Sequence, residues 1–491
     1  MSIPSLLGEP VAGDRSGCFA DINLDQVAAA VTRADPALAD YLRHLPDPAS
    51  IGYRQRLFQD LERPGVLAAA RGFTRSMAET RAWLARIDGM THPPSAGRWF
   101  LAAVTGHQRA VVAFADGLAP AVSEALTGVR DGLSELVRSS GFTRAADEAA
   151  RVRGLLADVR YDLLLHADVV SACPAADTRA DHAARVVTLF DRFRHATVPV
   201  RRPGRPIGVG LDAVEEGVLD LVVRLHPGVF AEVDAFARRH RGFVAEEVAL
   251  LDRELRFCLG YLDFLAPIRA AGMPVCYPEV TDGPGLDARG VYDLALAAKA
   301  AARGEPVVGN DLLLGDGERV LVVSGPNQGG KTTFARAFGQ VHHLAALGLP
   351  VPAASARVAA VDRVLTHFER AEEQGASKLE EELLRLRALL AEAGPRSAVV
   401  LNEIFTSTTA DDAAELSRRV LAELDTAGAA VCWVSFTADL ARWSPAAVSM
   451  ASSPDRSFAV TRRSADGRGH ALDVVRRHGL TRDQVLGRLA R

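Results

Sequence analysis

The spacing of hydrophobic and polar positions changes at about residue 280, just past the middle of the chain. Before residue 275, apolar residues recur at helical spacing in long stretches rich in Ala, Leu and Arg, for example over 122–137 and 146–169. Pro and Gly interrupt these stretches. The pattern predicts a mostly helical first region. Within it, residues 206–230 are compatible either with short strands, at 207–211 and 219–225, or with a helix end.

After residue 285, short apolar runs alternate with helical segments. These runs predict strands over 319–324, 397–401, 430–435 and 457–461. Strands that alternate with helices are typical of a parallel sheet covered by helices. The predicted fold class is therefore α and α/β, with the helical region first.

The first of these strands leads into a phosphate-binding motif. Residues 325–332 match G-x-x-x-x-G-K-[ST] at every fixed position, between a predicted strand and a predicted helix. The glycines let backbone N–H groups turn toward a phosphate, and the helix N-terminus adds a positive dipole end. The alternative is a chance Gly-rich turn, but the chain has only three lysines, which favours a functional Lys331. The predicted nucleotide-binding residues here are Gly325, Pro326, Asn327, Gln328, Gly329, Gly330, Lys331, Thr332 and Thr333.

A P-loop needs a polar partner on a neighbouring strand, and Asn402-Glu403 directly follows the second predicted strand. Ligands of open α/β sheets bind at such carboxyl ends. Glu403 would orient or deprotonate the attacking water, the alternative being a solvated carboxylate. Thr332 and Asn402 would hold Mg²⁺, weakly because the Asn402 oxygen is uncharged. The polar residues that follow predict a loop in which Asp411 or Asp412 caps the next helix.

Composition narrows the class of protein. A chain of 491 residues with 48% hydrophobic content predicts a globular protein of two to four domains. The five cysteines are scattered, without metal-site spacing. We expect a cytoplasmic protein with no membrane span, because no apolar run reaches ~18 residues and the first residues lack the basic and apolar regions of a signal peptide.

A net charge of −4 does not indicate a protein that binds nucleic acid over its whole surface, so any DNA-binding surface must be local. Basic residues cluster on both sides of 206–230. If the flanking helices are antiparallel, both clusters would lie near one tip and contact phosphates. The alternative is a set of solvated helix faces. The predicted DNA-binding residues are Arg201, Arg202, Arg205, Arg238, Arg239 and Arg241.

These motifs together resemble the ATPase domain of the MutS mismatch-repair family. The loop is similar to the family's G-P-N-x-G-G-K-[ST], narrower than a general P-loop. Other segments resemble its S-T-x-x-x-E signature loop, its D-E-I…T-S-T-x-D run, the segment before its first strand and its C-terminal helical element. The matching segments are 306–311, 325–332, 377–382, 402–412 and 469–486.

The resemblance implies three regions: a helical core and lever region over 1–280, a P-loop NTPase domain of the ABC-like type over 281–465, and a short helical dimerisation element over 466–491. It implies ATP and Mg²⁺ as cofactors, Asn310 as a further nucleotide contact, and a homodimer in which Ser377 approaches the partner's phosphate.

The implied function is a slow Mg²⁺-dependent ATPase whose nucleotide state drives dimer closure and DNA binding in DNA repair or recombination. The alternative is a nucleotide-gated DNA-binding or scaffold protein with little or no hydrolysis. A third reading, an ABC-type or chromosome-maintenance ATPase, predicts a Leu-Ser-Gly-Gly signature and long heptads, and the sequence contains neither.

Three departures from the family pattern bear on activity. Asn402 replaces an aspartate of the metal shell, Phe436 stands in place of a histidine, and Val307 replaces an aromatic residue that stacks on adenine. They favour nucleotide binding with slow hydrolysis. The chain also has no room for mismatch-recognition and connector domains before the helical core, so we expect DNA binding by structure rather than by mismatch.

Overall fold

The structure is a computed structural model of the chain. It describes residues 3–8, 17–33, 35–166, 169–175, 213–369, 378–437, 440–455, 457–464 and 482. Contacts divide the chain into two compact units. We call Met1–Ile3, Leu67–Pro120 and Val129–Asp252 the helical unit, and Pro4–Val66, Ala121–Gly128 and Arg253–Arg491 the sheet unit. No helix in the described ranges is long and apolar enough to cross a membrane.

The α-helices of the described residues, in chain order, are α1 (Gly17–Asp21), α2 (Leu24–Thr32), α3 (Asp40–Arg43), α4 (Ile51–Leu61), α5 (Pro64–Asp88), α6 (Pro93–Gly117), α7 (Glu124–Arg138), α8 (Ser140–Ala157), α9 (Ala213–Leu225), α10 (Pro227–Arg239), α11 (Glu246–Ala270), α12 (Leu294–Ala301), α13 (Lys331–Ala346), α14 (Lys378–Glu392) and α15 (Ala410–Ala427). Three short 3₁₀ helices are Pro36–Ala39, Pro48–Ser50 and Leu440–Arg442.

The strands of the described residues are β1 (Tyr161–His166), β2 (Val169–Pro174), β3 (Glu279–Thr281), β4 (Leu286–Val291), β5 (Asn310–Leu314), β6 (Val320–Ser324), β7 (Ser355–Ala359), β8 (Arg363–Phe368), β9 (Ser397–Asn402), β10 (Ala430–Val434), β11 (Ala447–Ser452) and β12 (Val460–Arg462).

The helical unit is built on the apolar faces of α6, α8 and α10. Phe100 and Val104 of α6 pack with Val152 of α8 and Phe236 of α10 in one buried cluster. Burial of apolar side chains on one face of each helix is the main source of stability for such packing. The helical periodicity of these three helices is therefore explained by the core they share.

The helical prediction over 146–169 is wrong in its second half. Helix α8 ends at Ala157, and β1 pairs with β2 as an antiparallel hairpin in which Tyr161 lies opposite Pro174. Cross-strand pairing with β2 outweighs the helical spacing of the apolar residues in this part of the chain. For residues 206–230 the sequence left strand and helix as alternatives, and the part over 213–225 is helix α9.

The sheet unit contains a six-stranded sheet in the order β12-β11-β6-β10-β9-β8. Five of its strands run parallel, and β12 pairs antiparallel with β11. Strands β6 and β9 are buried at every position. Their continuous apolar sequences follow from burial on both faces of a parallel sheet.

A four-stranded sheet in the order β3-β7-β4-β5 belongs to the same unit. The predicted strands over 319–324, 397–401 and 430–435 are confirmed within one or two residues. The strand predicted over 457–461 is corrected to β12, which lies at the antiparallel edge. Strand β11 was missed, because small and polar residues interrupt its apolar pattern.

The predicted fold class, helical first and α/β afterwards, is confirmed at this level. The domain limits at residues 280 and 465 remain predictions. Apart from Arg482, the proposed dimerisation element lies outside the described residues.

Candidate functional site

The loop between β6 and α13 has the backbone that its glycines allow. Gly325 has φ 128° and Gly330 has φ 87°, backbone angles that residues other than glycine rarely adopt. Space also requires glycine, because a Cβ at Gly329 would lie 2.6 Å from Ser452 Oγ, and a Cβ at Gly325 would collide with the same oxygen. Helix α13 begins at Lys331. The loop therefore presents the free N–H groups of a helix start.

The Lys331 side chain lies within this loop. Its Nζ donates to the carbonyl oxygens of Gly325 at 2.9 Å and Pro326 at 3.1 Å. The Glu403 carboxylate is 3.9 Å away, and the Phe436 ring centroid is 5.2 Å away. Burial lowers the pKa of Lys331, and Glu403 opposes this shift. An anion that reached the ammonium would thus meet a partly desolvated charge.

A cavity of about 680 Å³ opens beside the loop. This volume is within the range of small-molecule sites. The predicted residues that line it are Asn310, Asn327, Gln328, Gly329, Gly330, Lys331, Thr332, Thr333 and Glu403. Gly325, Pro326 and Asn402 do not line it. Ser377 lies outside the described residues.

Asn402 and Glu403 lie at the carboxyl end of β9. Asn402 is 8% exposed, and its Oδ1 has no hydrogen-bond partner. A buried amide oxygen without a partner is a suitable oxygen donor for a hard cation. Glu403 has φ 55°, and its side chain is 26% exposed. The donor set therefore fits Mg²⁺ in chemical type but offers only an uncharged oxygen at residue 402.

Asn310 is engaged by the protein itself. Its Nδ2 donates to the Phe458 carbonyl at 3.2 Å, and its Oδ1 accepts from Val460 N–H at 2.7 Å. These bonds join the start of β5 to the start of β12 and to the segment before it. Phe458, which the sequence reasoning missed, lines the cavity at 49% exposed with φ 57°. Its neighbours, Ser457 and Ala459, gave no signal in the sequence that it would line a site.

The cavity wall away from the loop is mostly apolar. Leu296 of α12, Val307 and Val308 contribute to it, with Arg303 and Glu305 nearby in the lining. A flat apolar ring would find hydrophobic surface here, whereas charged groups would be favoured at Lys331.

Helix α15 is capped from the polar loop, as predicted, but by a threonine and not by an aspartate. Thr409 is the N-cap, and its Oγ1 accepts from the Asp412 N–H at 3.2 Å. The Asp412 carboxylate in turn accepts from Thr409 Oγ1 at 2.8 Å. Neither Asp411 nor Asp412 is the cap, because α15 begins before them, at Ala410.

Comparison with known proteins identifies the family. Residues 321–451, from β6 into β11, match the family described as MutS domain V. This part of the chain belongs to the MutS domain V family.

Curated MutS relatives match a limited part of the chain. One similar protein is the "DNA mismatch repair protein MutS" of Erythrobacter litoralis, 34% identical over 155 residues, 31% of this chain and 18% of that protein. The protein of the same name from Granulibacter bethesdensis is 32% identical over 170 residues, 34% of this chain and 18% of that protein. That of Dinoroseobacter shibae is 27% identical over 261 residues, 50% of this chain and 28% of that protein. The matches thus span less than a third of these relatives' lengths.

The clusters of basic residues predicted DNA contacts, and the structure describes three of the six predicted residues. Arg238 and Arg239 lie at the C-terminal end of α10, directly before His240 and Arg241. Glu148 of α8 lies 3.6 Å from Arg239 Nε and 3.0 Å from His240 Nε2. This carboxylate offsets part of the local positive charge. Arg201, Arg202 and Arg205 lie outside the described residues.

Proposed function

We propose that this MutS-family chain binds ATP in the cavity beside Lys331 and hydrolyses it slowly with Mg²⁺. The observation that carries the proposal is the position of Lys331, which is the first residue of α13, follows a glycine-rich loop and lines the cavity. Backbone N–H groups, a helix N-terminus and one ammonium form a binding site for phosphate oxygens.

Different residues contact different parts of the proposed ATP ligand. Lys331 exchanges its contacts with the Gly325 and Pro326 carbonyls for phosphate oxygens. The apolar wall at Leu296 and Val307 receives the base. Thr332 and Asn402 hold Mg²⁺, which when bound neutralises phosphate charge.

Glu403 acts as the water-orienting residue of the proposed reaction. Its carboxylate lines the cavity and is only partly exposed. A carboxylate in that position orients the attacking water and accepts its proton. We therefore assign the hydrolytic role to Glu403 and the phosphate-binding role to Lys331.

A second candidate function, nucleotide binding with little or no hydrolysis, is favoured by two observations. Asn402 supplies no negative charge to a metal shell. Phe436 lies over the Lys331 ammonium at 5.2 Å, where it adds a cation–π contact but no proton-transfer group. Turnover measurements distinguish the two functions.

At the level of the whole protein, we propose a cytoplasmic homodimer whose nucleotide state controls DNA binding in DNA repair, mismatch repair included, or recombination. The support is family membership and the printed names of the relatives. Ser377 would contact the partner's phosphate. Sedimentation of wild type and Ser377→Arg with a non-hydrolysable ATP analogue tests this, since a trans contact requires the variant to dimerise less.

The deciding experiment is ATP binding and turnover of the purified full chain, alone and with duplex, mismatched and branched DNA. Saturable ATP binding with slow, Mg²⁺-dependent turnover supports the proposal. Binding without turnover supports the second candidate. Absence of ATP binding contradicts both.

A further inference from the structure

Two residues of the turn after β9 adopt backbone conformations that L-amino acids rarely take. Glu403 has φ 55° and Phe405 has φ 62°, in the left-handed region. Non-glycine residues keep such conformations only where surrounding contacts hold them. The contacts of this turn therefore decide where the Glu403 carboxylate lies.

Helix α14 holds Phe405 in two ways. The Phe405 N–H donates to Glu382 Oε1 at 2.9 Å. The Phe405 ring is 2% exposed and belongs to a core cluster that includes Leu386 and Leu389 of the same helix. Both the backbone and the side chain of Phe405 are thus held by α14.

The acceptor in this contact is itself buried, since Glu382 is 6% exposed. His367 of β8 has its Nε2 3.7 Å from Glu382 Oε1, which is close enough for electrostatic attraction but long for a hydrogen bond. Burial opposes ionisation of Glu382, but His367 and the Phe405 N–H outweigh it, and the pKa of Glu382 is lowered. The ionised carboxylate is a strong acceptor for the Phe405 N–H.

We propose that Glu382 is a positioning residue, which places the Glu403 carboxylate by holding the Phe405 N–H. The inference rests on the proposed function, because the position of Glu403 matters to a reaction only if the site turns over ATP. Helix α14 begins at Lys378, directly after Ser377. A shift of α14 would therefore move Glu403, and the same hydrogen bond joins the turn to the segment that resembles the family's signature loop.

Three variants test the proposal in the full chain. Glu382→Met has a similar size and no oxygen acceptor, whereas Glu382→Gln retains an oxygen for the Phe405 N–H. Glu381→Met, one position away on α14, is the matched control. Hydrogen exchange of the Phe405 amide is measured without nucleotide, and ATP affinity and turnover are measured separately.

We expect Glu382→Met to accelerate Phe405 amide exchange and to lower turnover by about 10- to 100-fold, because small misplacements of a reacting group have effects of this size. ATP affinity should change by less than about twofold, since Lys331 and the loop supply the phosphate contacts. Glu382→Gln should retain protection of the amide and most of the turnover. Glu381→Met should resemble wild type.

Unchanged Phe405 exchange and turnover in Glu382→Met would overturn the proposal, as would equal losses in Glu381→Met. If Glu382→Met does not fold, Glu382→Asp replaces it, because a shorter side chain withdraws the acceptor and must accelerate the same exchange. If wild type shows no turnover, the hydrolytic function fails. The amide exchange then decides by itself whether Glu382 holds the turn.

Discussion

Lys331 Nζ lies 3.9 Å from Glu403 Oε1, with the first side chain 4% exposed and the second 26% exposed. One charge comes from the start of α13 and the other from the turn after β9. Burial lowers the pKa of Lys331, while the carboxylate opposes that shift. A phosphate would compete with Glu403 for the ammonium, so the pair couples the binding group of the site to its candidate water-orienting group.

Replacing Lys331 by Ala should weaken ATP binding. Loss of charge-assisted contacts to phosphate costs about 1.5–3 kcal/mol, or roughly ten- to hundredfold in affinity. The measurement is equilibrium titration of a labelled ATP analogue. Lys299→Ala is the matched control, because Lys299 is an exposed lysine of α12 that does not line the cavity. Unchanged affinity in Lys331→Ala would place the nucleotide elsewhere.

Replacing Asn402 by Asp should lower the Mg²⁺ concentration needed for half-maximal turnover and raise kcat. A carboxylate is a better ligand for a hard cation than the amide oxygen that the chain supplies. A Mg²⁺ titration of ATPase rate in both proteins checks this. Gln59→Glu, which introduces the same charge at an exposed position that does not line the cavity, is the control. If the titration and rate of Asn402→Asp match wild type, residue 402 is not in the metal shell.

Replacing Arg238, Arg239 and Arg241 by Ala should make DNA binding less dependent on salt. Each phosphate contact contributes about −0.9 to the slope of log K against log salt, so three contacts give a change of up to about three. Glu148 already offsets part of the charge at Arg239, so this residue should contribute least. Fluorescence anisotropy over a salt series, with perfect and mismatched duplexes, is the measurement.

The charge-matched control for the DNA experiment replaces three exposed arginines of the sheet unit, Arg357, Arg418 and Arg419. These arginines already pair with glutamates and should leave the slope unchanged. A slope that responds equally to both sets would show that net charge alone, and not the end of α10, governs binding. Because the arginines contact phosphates only, perfect and mismatched duplexes should weaken alike.

His342 should make folding stability depend on pH. Burial lowers its pKa from 6.5 to about 4, opposed by the Phe338 carbonyl, so the fold contains the neutral imidazole. The stability is fully present above pH 6.5 and is lost as pH falls from 6.5 toward 4, because the unfolded chain gains the proton first. The free energy of unfolding should fall by about 3 kcal/mol over this pH range.

Urea unfolding at a series of pH values tests the His342 prediction. His342→Gln should flatten the decline in the free energy of unfolding between pH 6.5 and 4. His44→Gln, at a half-buried position, is the control. An equal decline in His342→Gln and wild type would show that other groups cause the acid sensitivity.

Sequence by itself determined those parts of the molecule that depend on short-range chemistry. The glycines around Lys331 require an unusual backbone locally, and the apolar run before them has only one stable place, a strand buried on both faces. Strand β6, the loop and the start of α13 could therefore be predicted. So could the polar end of β9, because the apolar run stops at Leu401 and the strand ends one residue later, at Asn402.

Only the tertiary structure decided the contacts between distant segments. Asn310 reaches the Phe458 carbonyl across 148 positions of the chain, and Glu382 reaches Phe405 N–H across 23. Neither contact follows from periodicity or from a motif, since each depends on which strands become neighbours and how α14 lies over them. The hairpin of β1 and β2 has the same origin, because cross-strand pairing outweighed the local helical pattern. A buried N–H group without a hydrogen-bond partner is costly, so the folded core must place an acceptor beside it. Which residue supplies that acceptor depends on how distant segments pack, and no single segment of sequence determines it.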